Sequence, residues 1–524
     1  MLVPVLLSLA LGLWRVRRAG SLWRDEAVTY DMARRSLPDL GRTLEHADAV
    51  HGLYYLLMHG LFRLVRVFGT ADPLLVLRLP SVLATAAAAG LLALLGLRLA
   101  GPRAGLLAGV VFGLLPPVQR YAQEGRSYAV VCVLVIWASY LLVRAADVRT
   151  VRAWAGYAAV LWTACLLHEF AVLVLPAHAL AVPRAARRGW ARAAGAVTAG
   201  VVPLAVCSAR QSEQVAWIGG LGAGSLLGFA GVALLAAACA ALLSGRRIPG
   251  LGKGVGMPEP GKAVGTPGPG KGVGAPGPGK AVGTPGPGRG AGTPGRYGGA
   301  SGRGEATPVL GGSLVALALP LCVLPGLLLM LVSLVKPLYV DRYVLYGQAG
   351  TALLVGAALD RLLRGGGALR AGAVLTAGAA LAALVPVTLY LRTPASRLDD
   401  VSAVATAVRA SGGRADGVLY LPGRRRVWSL VDPRAVSGLR DLALERTPDD
   451  SGTLYGTEAP PSVVRARMLA ARRVVVLRDP AGQPLDANLR EAVKERVLAA
   501  HFEECRTRTV RGARVSVYAR PGRC

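Results

Sequence analysis

The chain has 524 residues, of which 53% are hydrophobic and 17% charged, with a net charge of +30. Mean hydropathy is +0.46, which excludes an ordinary soluble enzyme and points to a polytopic membrane protein. The arginines are scattered between apolar runs rather than gathered on one face, so a nucleic-acid partner is not expected and the charge reads as loop charge beside a membrane.

Apolar segments fall at 2–14, 79–97, 104–118, 128–143, 153–167, 169–182, 194–208, 221–243, 309–335, 344–359 and 371–391, about eleven spans. The first is about 13 residues, roughly 20 Å of helix, which is short for a core of ~30 Å. Either flanking residues extend it or further residues precede Met1. It lacks a charged n-region and an A-x-A site, so a cleavable signal peptide is not expected.

Between the first two spans lies a loop over 19–78. It contains "SLWRDEAVTY", with Arg24, Asp25 and Glu26 adjacent, and then "HGLYYLLMHGLFRLVRVF" at 51–68. The second stretch mixes His51, His59, Arg63 and Arg66 with apolar residues, as a helix lying in the membrane plane does. With 51–68 in the plane, Arg98/Arg103, Arg144/Arg149/Arg152, Arg184/Arg187/Arg188/Arg192, Arg246/Arg247 and Arg361/Arg364/Arg370 all fall on one side. The positive-inside rule makes that side cytoplasmic and the C-terminal part extracytoplasmic, in the cell membrane. Arg15, Arg17 and Arg18 then fall on the outer side, against the rule.

Residues 248–308 form a Gly/Pro-rich cytoplasmic insert. At 252–296 it carries a drifting nine-residue unit such as "GKAVGTPGP". Its glycines do not recur at every third position, which excludes a collagen helix, and such composition cannot build a core. Residues 392–524 alternate amphipathic helices ("DDVSAVATAVRASGG", "LDANLREAVKERVLAAHF") with apolar strands ("DGVLYLP", "RRVVVLRDP", "ARVSVYAR"), the pattern of a small α/β domain. No Gly-rich phosphate loop follows a strand there. Of seven cysteines, Cys132, Cys165, Cys207, Cys239 and Cys322 lie in apolar runs and read as packing residues. Cys505 and Cys524 are able to pair if the tail is extracytoplasmic.

Under this topology the polar residues of the loops collect on the outer face: Asp25, Glu26, His51 and Tyr54; Glu124 and Arg126 in "QRYAQEGRSY"; His168; Gln214 and Trp217 in "RQSEQVAWI"; and Tyr339, Arg342 and Tyr343 in "KPLYVDRY". Ionisable groups at a hydrocarbon edge are costly, and so are candidates for function. A carboxylate there can take a proton from a hydroxyl. Guanidinium groups can take up the charge left on a departing phosphate, and aromatic faces and amides can hold a sugar.

At these residues the chain resembles the GT-C membrane glycosyltransferases. "SLWRDEA", "DAVHGLYYLLMH", "RLPSVLA", "YAQEGRSY" and "YVDRYVLY" follow that family's order over most of residues 1–391. "RRRVW", "RDLAL" and "GTLYGTEAP" in the tail look like actinobacterial members. The nearest branch is the bacterial protein O-mannosyltransferase-like enzymes, which includes aminoarabinose transferases. The resemblance implies inverting transfer of a hexose, mannose foremost, from a polyprenyl-phosphate donor to a protein, lipid or glycan hydroxyl on the extracytoplasmic face. It implies Asp25 as general base with Glu26 beside it, and Arg126 and Arg342 at the phosphate. His51, Tyr54, Glu124, His168, Gln214, Trp217, Tyr339 and Tyr343 then bind substrate. No cofactor is required, although relatives that bind a divalent metal near the acidic pair leave room for one. A transporter or flippase of lipid-linked sugars and an inactive scaffold are the competing readings; a transporter needs ionisable groups or broken helices at mid-membrane, and these spans are nearly free of charge.

Overall fold

The computed structural model describes residues 1–67, 69, 72–211, 219–244, 313–411, 415–483 and 488–524. The expected insert at 248–308 lies outside the described residues. Residues 1–246 and 309–524 belong to one compact unit.

The helices of the first part, in chain order, are α1 Leu2–Leu13, α2 Arg24–Arg34, α3 Leu37–His46, α4 Gly52–Val67, α5 Pro73–Ala100, α6 Pro102–Leu114, α7 Pro116–Ala122, α8 Tyr128–Val148, α9 Val151–Leu167, α10 Val174–Ala181, α11 Arg187–Arg210, α12 Ala223–Leu243, α13 Ser313–Ser333, α14 Gln348–Leu363 and α15 Gly367–Leu391. Among the described residues six are long and apolar enough to cross a membrane: α5, α8, α11, α12, α13 and α15. The remaining expected spans are the shorter apolar helices α1, α6, α9, α10 with the turn before it, and α14.

Local sequence sets several ends. Asp72 caps α5 by accepting from Leu74 N–H at 2.8 Å, and Pro73 follows at the first helical position. The spans pack through small residues, which let helix backbones approach closely in lipid. A Cβ at Gly105 of α6 would strike the backbone of Ala93 and Leu97 in α5, and one at Gly356 of α14 would strike Ala108 of α6. Cys132, Cys165, Cys239 and Cys322 are buried as expected for packing residues; Cys207 instead sits exposed on α11.

Helix α4 occupies the stretch expected to lie in the membrane plane. Its buried residues, Gly52, Tyr54, Tyr55, Met58 and Phe62, recur at helical spacing on one side, and Leu56, Leu57 and Leu64 are exposed on the other.

The tail holds helices α16 Val401–Ser411, α17 Val427–Leu430, α18 Pro448–Ser451, α19 Pro461–Ala470 and α20 Leu489–His501. Its strands are β1 Gly417–Leu421, β2 Arg440–Asp441, β3 Leu444–Arg446, β4 Thr457–Glu458, β5 Arg473–Arg478, β6 Glu503–Val510 and β7 Ala513–Ala519. The main sheet runs β2-β1-β5-β7-β6, and β3 pairs with β4 apart from it. β1 is parallel to β5 (Gly417 beside Val474), and β7 runs antiparallel between β5 and β6.

Alternation along the strands divides the sheet's two faces. Leu419, Leu421, Val474 and Val476 join Val464, Met468, Val497 and Leu498 of α19 and α20 in one core. Val418, Tyr420, Val475 and Leu477 join α16 and α17, and that core is continuous with the helical bundle. One sheet face therefore rests on the layer that seals the bundle, which makes the tail part of the same compact unit rather than a detached appendage. Cys505 and Cys524 are disulfide-bonded, fastening the C-terminus to β6.

Candidate functional site

The site is built around the start of α2. Its first turn carries Asp25 and Glu26, where carboxylates suit the positive end of a helix. The Arg24 N–H donates to Asp399 Oδ1 at 2.9 Å, so the tail grips this turn directly. Successive helical residues point about 100° apart, and the two carboxylates part company.

Asp25 keeps 21% of its side chain exposed and meets Arg342 Nη2 at 3.3 Å, with Arg24 Nε at 3.9 Å. Glu26 is fully buried. It accepts two hydrogen bonds from Arg78, at 2.7 and 2.6 Å, and one from Gly125 N–H at 3.0 Å. Arg78 also donates to the carbonyls of Val16 and Ser21, at 2.6 and 2.7 Å. Burial alone would raise the Glu26 pKa; the Arg78 guanidinium overrides it and holds the carboxyl below its usual range. The two residues expected as a catalytic pair are thus placed differently. Asp25 faces open space, whereas Glu26 has no exposure and ties the first loop, α5 and the second loop together.

The second loop is fixed from several sides. Besides the Gly125 contact, Ser81 Oγ donates to the Glu124 and Arg126 carbonyls. The Glu124 side chain, expected to bind substrate, is buried on Arg397 at 3.1 Å. Burial pushes its carboxyl up and Arg397 works against that. Arg18 reaches the Gln123 carbonyl at 3.0 Å, and Arg17 pairs with Asp72 at 2.6 Å. This gives a physical reason for the basic cluster that breaks the positive-inside pattern: two of its members are structural. What the loop presents is Arg126, which donates to Tyr55 Oη at 3.0 Å and Thr29 Oγ1 at 3.4 Å, while Tyr55 Oη donates to Asp48.

Arg342 lies on the short helical turn Asp341–Gly347. Its Nε donates to Tyr128 Oη at 3.1 Å, and its guanidinium carbon stands 5.6 to 5.7 Å from the ring centres of Trp23, Tyr128 and Tyr343. Beside it, His168 and Tyr343 have ring centres 4.6 Å apart, Phe170 stacks on Tyr343 at 5.4 Å, and His51 faces His168 at 5.5 Å. Burial holds both imidazoles well below the usual histidine range, aided at His51 by Arg126 and Arg342 and at His168 by His51 and then the same two arginines, so they are neutral at neutral pH.

These groups surround a cavity of about 1330 Å³ between the bundle end and the tail. Of the residues singled out in the sequence, Asp25, His51, Arg126, His168, Arg342 and Tyr343 line it. Glu26, Tyr54 and Glu124 do not. Tyr54 packs into the interior at 1% exposure, and it is the neighbouring Tyr55 that steadies Arg126. Tyr339 is half-buried beside the cavity without lining it. Gln214 and Trp217 lie outside the described residues. The cavity also takes in residues not chosen from the sequence: Arg24, Asp48, Tyr128 and Lys336 from the bundle end, Arg424 and Arg425 from "RRRVW", and Thr453 to Tyr455 from "GTLYGTEAP". The two tail motifs were the signal that could have found the last five. No group of three or more His, Cys, Asp or Glu is placed to hold a metal ion among the described residues. The ion-pair contacts of Asp25 are with the guanidinium groups of Arg24 and Arg342.

No family model matches the chain, and no curated protein matches it. Among solved structures, the crystal structure of ArnT from Cupriavidus metallidurans in the apo state aligns with a TM-score of 0.51, covering 98% of this chain and 97% of that one at 12% identity. The chain has the GT-C fold. At that identity the likeness carries the architecture: a helical membrane bundle with a small C-terminal α/β domain. In the GT-C fold of this chain the cavity lies at the bundle end that the α/β domain covers.

Proposed function

We infer that the chain is a membrane glycosyltransferase that moves a hexose, mannose foremost, from a polyprenyl-phosphate donor to an acceptor hydroxyl, with inversion, on the extracytoplasmic side of the cell membrane. The observation that carries this reading is the contact between Asp25 and Arg342, 3.3 Å apart on the wall of a large cavity at the bundle end. A base and an anion-binding group side by side are what the transfer needs. The GT-C fold and the run of five motifs support it, and the Cys505–Cys524 disulfide suits an oxidising compartment.

In this reading the donor's lipid tail stays in the bilayer and its phosphate lies against Arg342 and Arg126, with Lys336 at the cavity wall. Asp25 takes the proton of the acceptor hydroxyl. The acceptor oxygen bonds to the anomeric carbon from the face opposite the phosphate, and the bond from that carbon to the phosphate oxygen breaks. The electron pair leaves on the phosphate, where the guanidinium groups stabilise it. Glu26 and Glu124 hold the loops and touch no substrate. The acceptor is a protein, lipid or glycan hydroxyl.

The test is transfer by membranes from a panel of radiolabelled polyprenyl-phosphate sugars, wild type against Asp25→Asn. Transfer by wild type alone supports the reading. Equal transfer by both removes Asp25 as base, and no transfer from any donor sinks the glycosyltransferase reading in favour of a transporter or scaffold.

A further inference from the structure

We propose that His51 and His168, together with the ring faces of Tyr128, Phe170 and Tyr343, form the donor-sugar subsite, and that this subsite takes an uncharged, hydroxyl-bearing sugar in preference to an amino sugar. The inference rests on the lipid-phosphate donor reading above.

His51 and His168 are 4% and 3% exposed, yet both line the cavity. Neither ring makes a hydrogen bond among the described residues, and the Nδ1 atom of each is buried without a partner. Buried polar atoms are ordinarily satisfied, and the two residues that carry these atoms line the cavity. A neutral imidazole offers one N–H donor and one acceptor nitrogen. Two imidazoles that meet edge to face, with ring centres 5.5 Å apart, therefore carry between them a pair of donors and a pair of acceptors. A hydroxyl both donates and accepts, so neighbouring sugar hydroxyls match this set in either tautomer. The rings beside them supply a flat apolar face: His168 on Tyr343 at 4.6 Å and Phe170 stacked on Tyr343 at 5.4 Å.

Charge decides the class of sugar. The cations acting on the two imidazoles are Arg126 and Arg342. Among the described residues, the cavity's carboxylates have partners of their own: Asp25 pairs with Arg342, Asp48 accepts from Tyr55, and Glu169 accepts from Ser208 at 2.8 Å. An ammonium group placed between the histidines would meet the guanidinium charge of Arg126 and Arg342 and aromatic rings, whereas hydroxyls meet no such repulsion.

The experiment uses the full chain purified in detergent and three probes: a polyprenyl phosphate, the same lipid carrying mannose, and the same lipid carrying aminoarabinose. Affinities are measured by thermophoresis for the wild type, His51→Gln and His168→Asn. The expected result is that mannose improves on the bare phosphate by about tenfold, as two neutral hydrogen bonds would, and that aminoarabinose gives no gain. Each histidine variant loses part of the mannose gain and keeps the affinity for the bare phosphate. Aminoarabinose binding as tightly as mannose, or variants that weaken all three probes equally, overturns the subsite. Failure of even the bare polyprenyl phosphate to bind overturns the donor reading itself, and the sugar subsite with it.

Discussion

Glu26 and Arg78 meet through two parallel hydrogen bonds of 2.7 and 2.6 Å, with neither side chain exposed. The carboxylate's remaining capacity goes to Gly125 N–H, and the guanidinium's to two carbonyls of the chain between α1 and α2. One buried pair thus fixes the start of α2, the first turns of α5 and the loop that carries Arg126. Removing one partner of such a pair strands the other charge away from water, at a cost of about 3–5 kcal/mol. Glu26→Gln is therefore expected to behave as a folding mutant. Its thermal midpoint in detergent, followed by size-exclusion of heated samples, should fall well below wild type. An unchanged midpoint would contradict the structural role assigned to Glu26.

Asp25, one residue earlier, should respond in the opposite way. Its side chain is partly exposed and its ion pair with Arg342 borders the cavity, so the energy of that pair is small once solvent screening is allowed for. Asp25→Asn is expected to keep the wild-type midpoint and to lose roughly 10²- to 10⁴-fold in transfer rate, the usual contribution of a general base. Adjacent carboxylates separated in this way, one moving stability and the other rate, would mark Asp25 as the chemical member. A rate within about threefold of wild type would exclude that role on the same scale.

The separation of these neighbours shows where sequence reasoning stops. Helical periodicity and hydropathy located the spans, the amphipathic helix α4 and the α/β tail, because those features are written in local pattern. The acidic pair was visible as well, but not the direction each member faces. That depends on partners far along the chain, Arg78 for Glu26 and Arg342 for Asp25, and nothing local encodes them. Arg78 stood inside "RLPSVLA", where it read only as the edge of a span. Glu124 looked like Arg126 because both are charged residues of one loop, yet Arg397, from the first residues after the bundle, draws it inward. The contribution of Arg424, Arg425 and Tyr455 to the cavity follows from the tail's packing on the bundle, which no periodicity in either segment announces.

The two cavity histidines give a pH dependence whose sign can be worked out. Burial foremost, with Arg126 and Arg342 acting in the same direction on both, holds their native pKa values well below the ordinary value near 6.5. In the window below about 6.5 the unfolded chain binds protons that the native chain does not, so stability falls as pH drops through that window and levels off above it. Between pH 7.5 and pH 6.0 the pair should lose roughly 1–2 kcal/mol. Thermal midpoints of wild type at the two pH values should show the fall, and a His51→Gln, His168→Asn double variant should make it shallower. A double variant whose midpoint falls as steeply as wild type over this range would mean that the two histidines are not held neutral.

Tyr55 is the residue through which Asp48 and Arg126 communicate. Its hydroxyl donates to the Asp48 carboxylate and accepts from Arg126 Nη1 at 3.0 Å. Asp48 itself is held with φ at 59°, a conformation that Asn and Asp tolerate better than most residues. Tyr55→Phe removes only the oxygen and leaves the ring, which is buried against the bundle. Arg126 then keeps Thr29 Oγ1 as a weak partner at 3.4 Å and loses its aim. One such hydrogen bond is worth about 1 kcal/mol, or about fivefold in affinity. The expected outcome is a donor KM raised about fivefold with kcat nearly unchanged, because the phosphate is bound by Arg126 before and after the transfer step. Asp48→Asn should give a smaller change in the same direction, since an amide still accepts from the tyrosine. If Tyr55→Phe instead lowers kcat and leaves KM alone, Arg126 acts chiefly on the developing charge, and its place in the site shifts from holding the donor to stabilising the leaving phosphate.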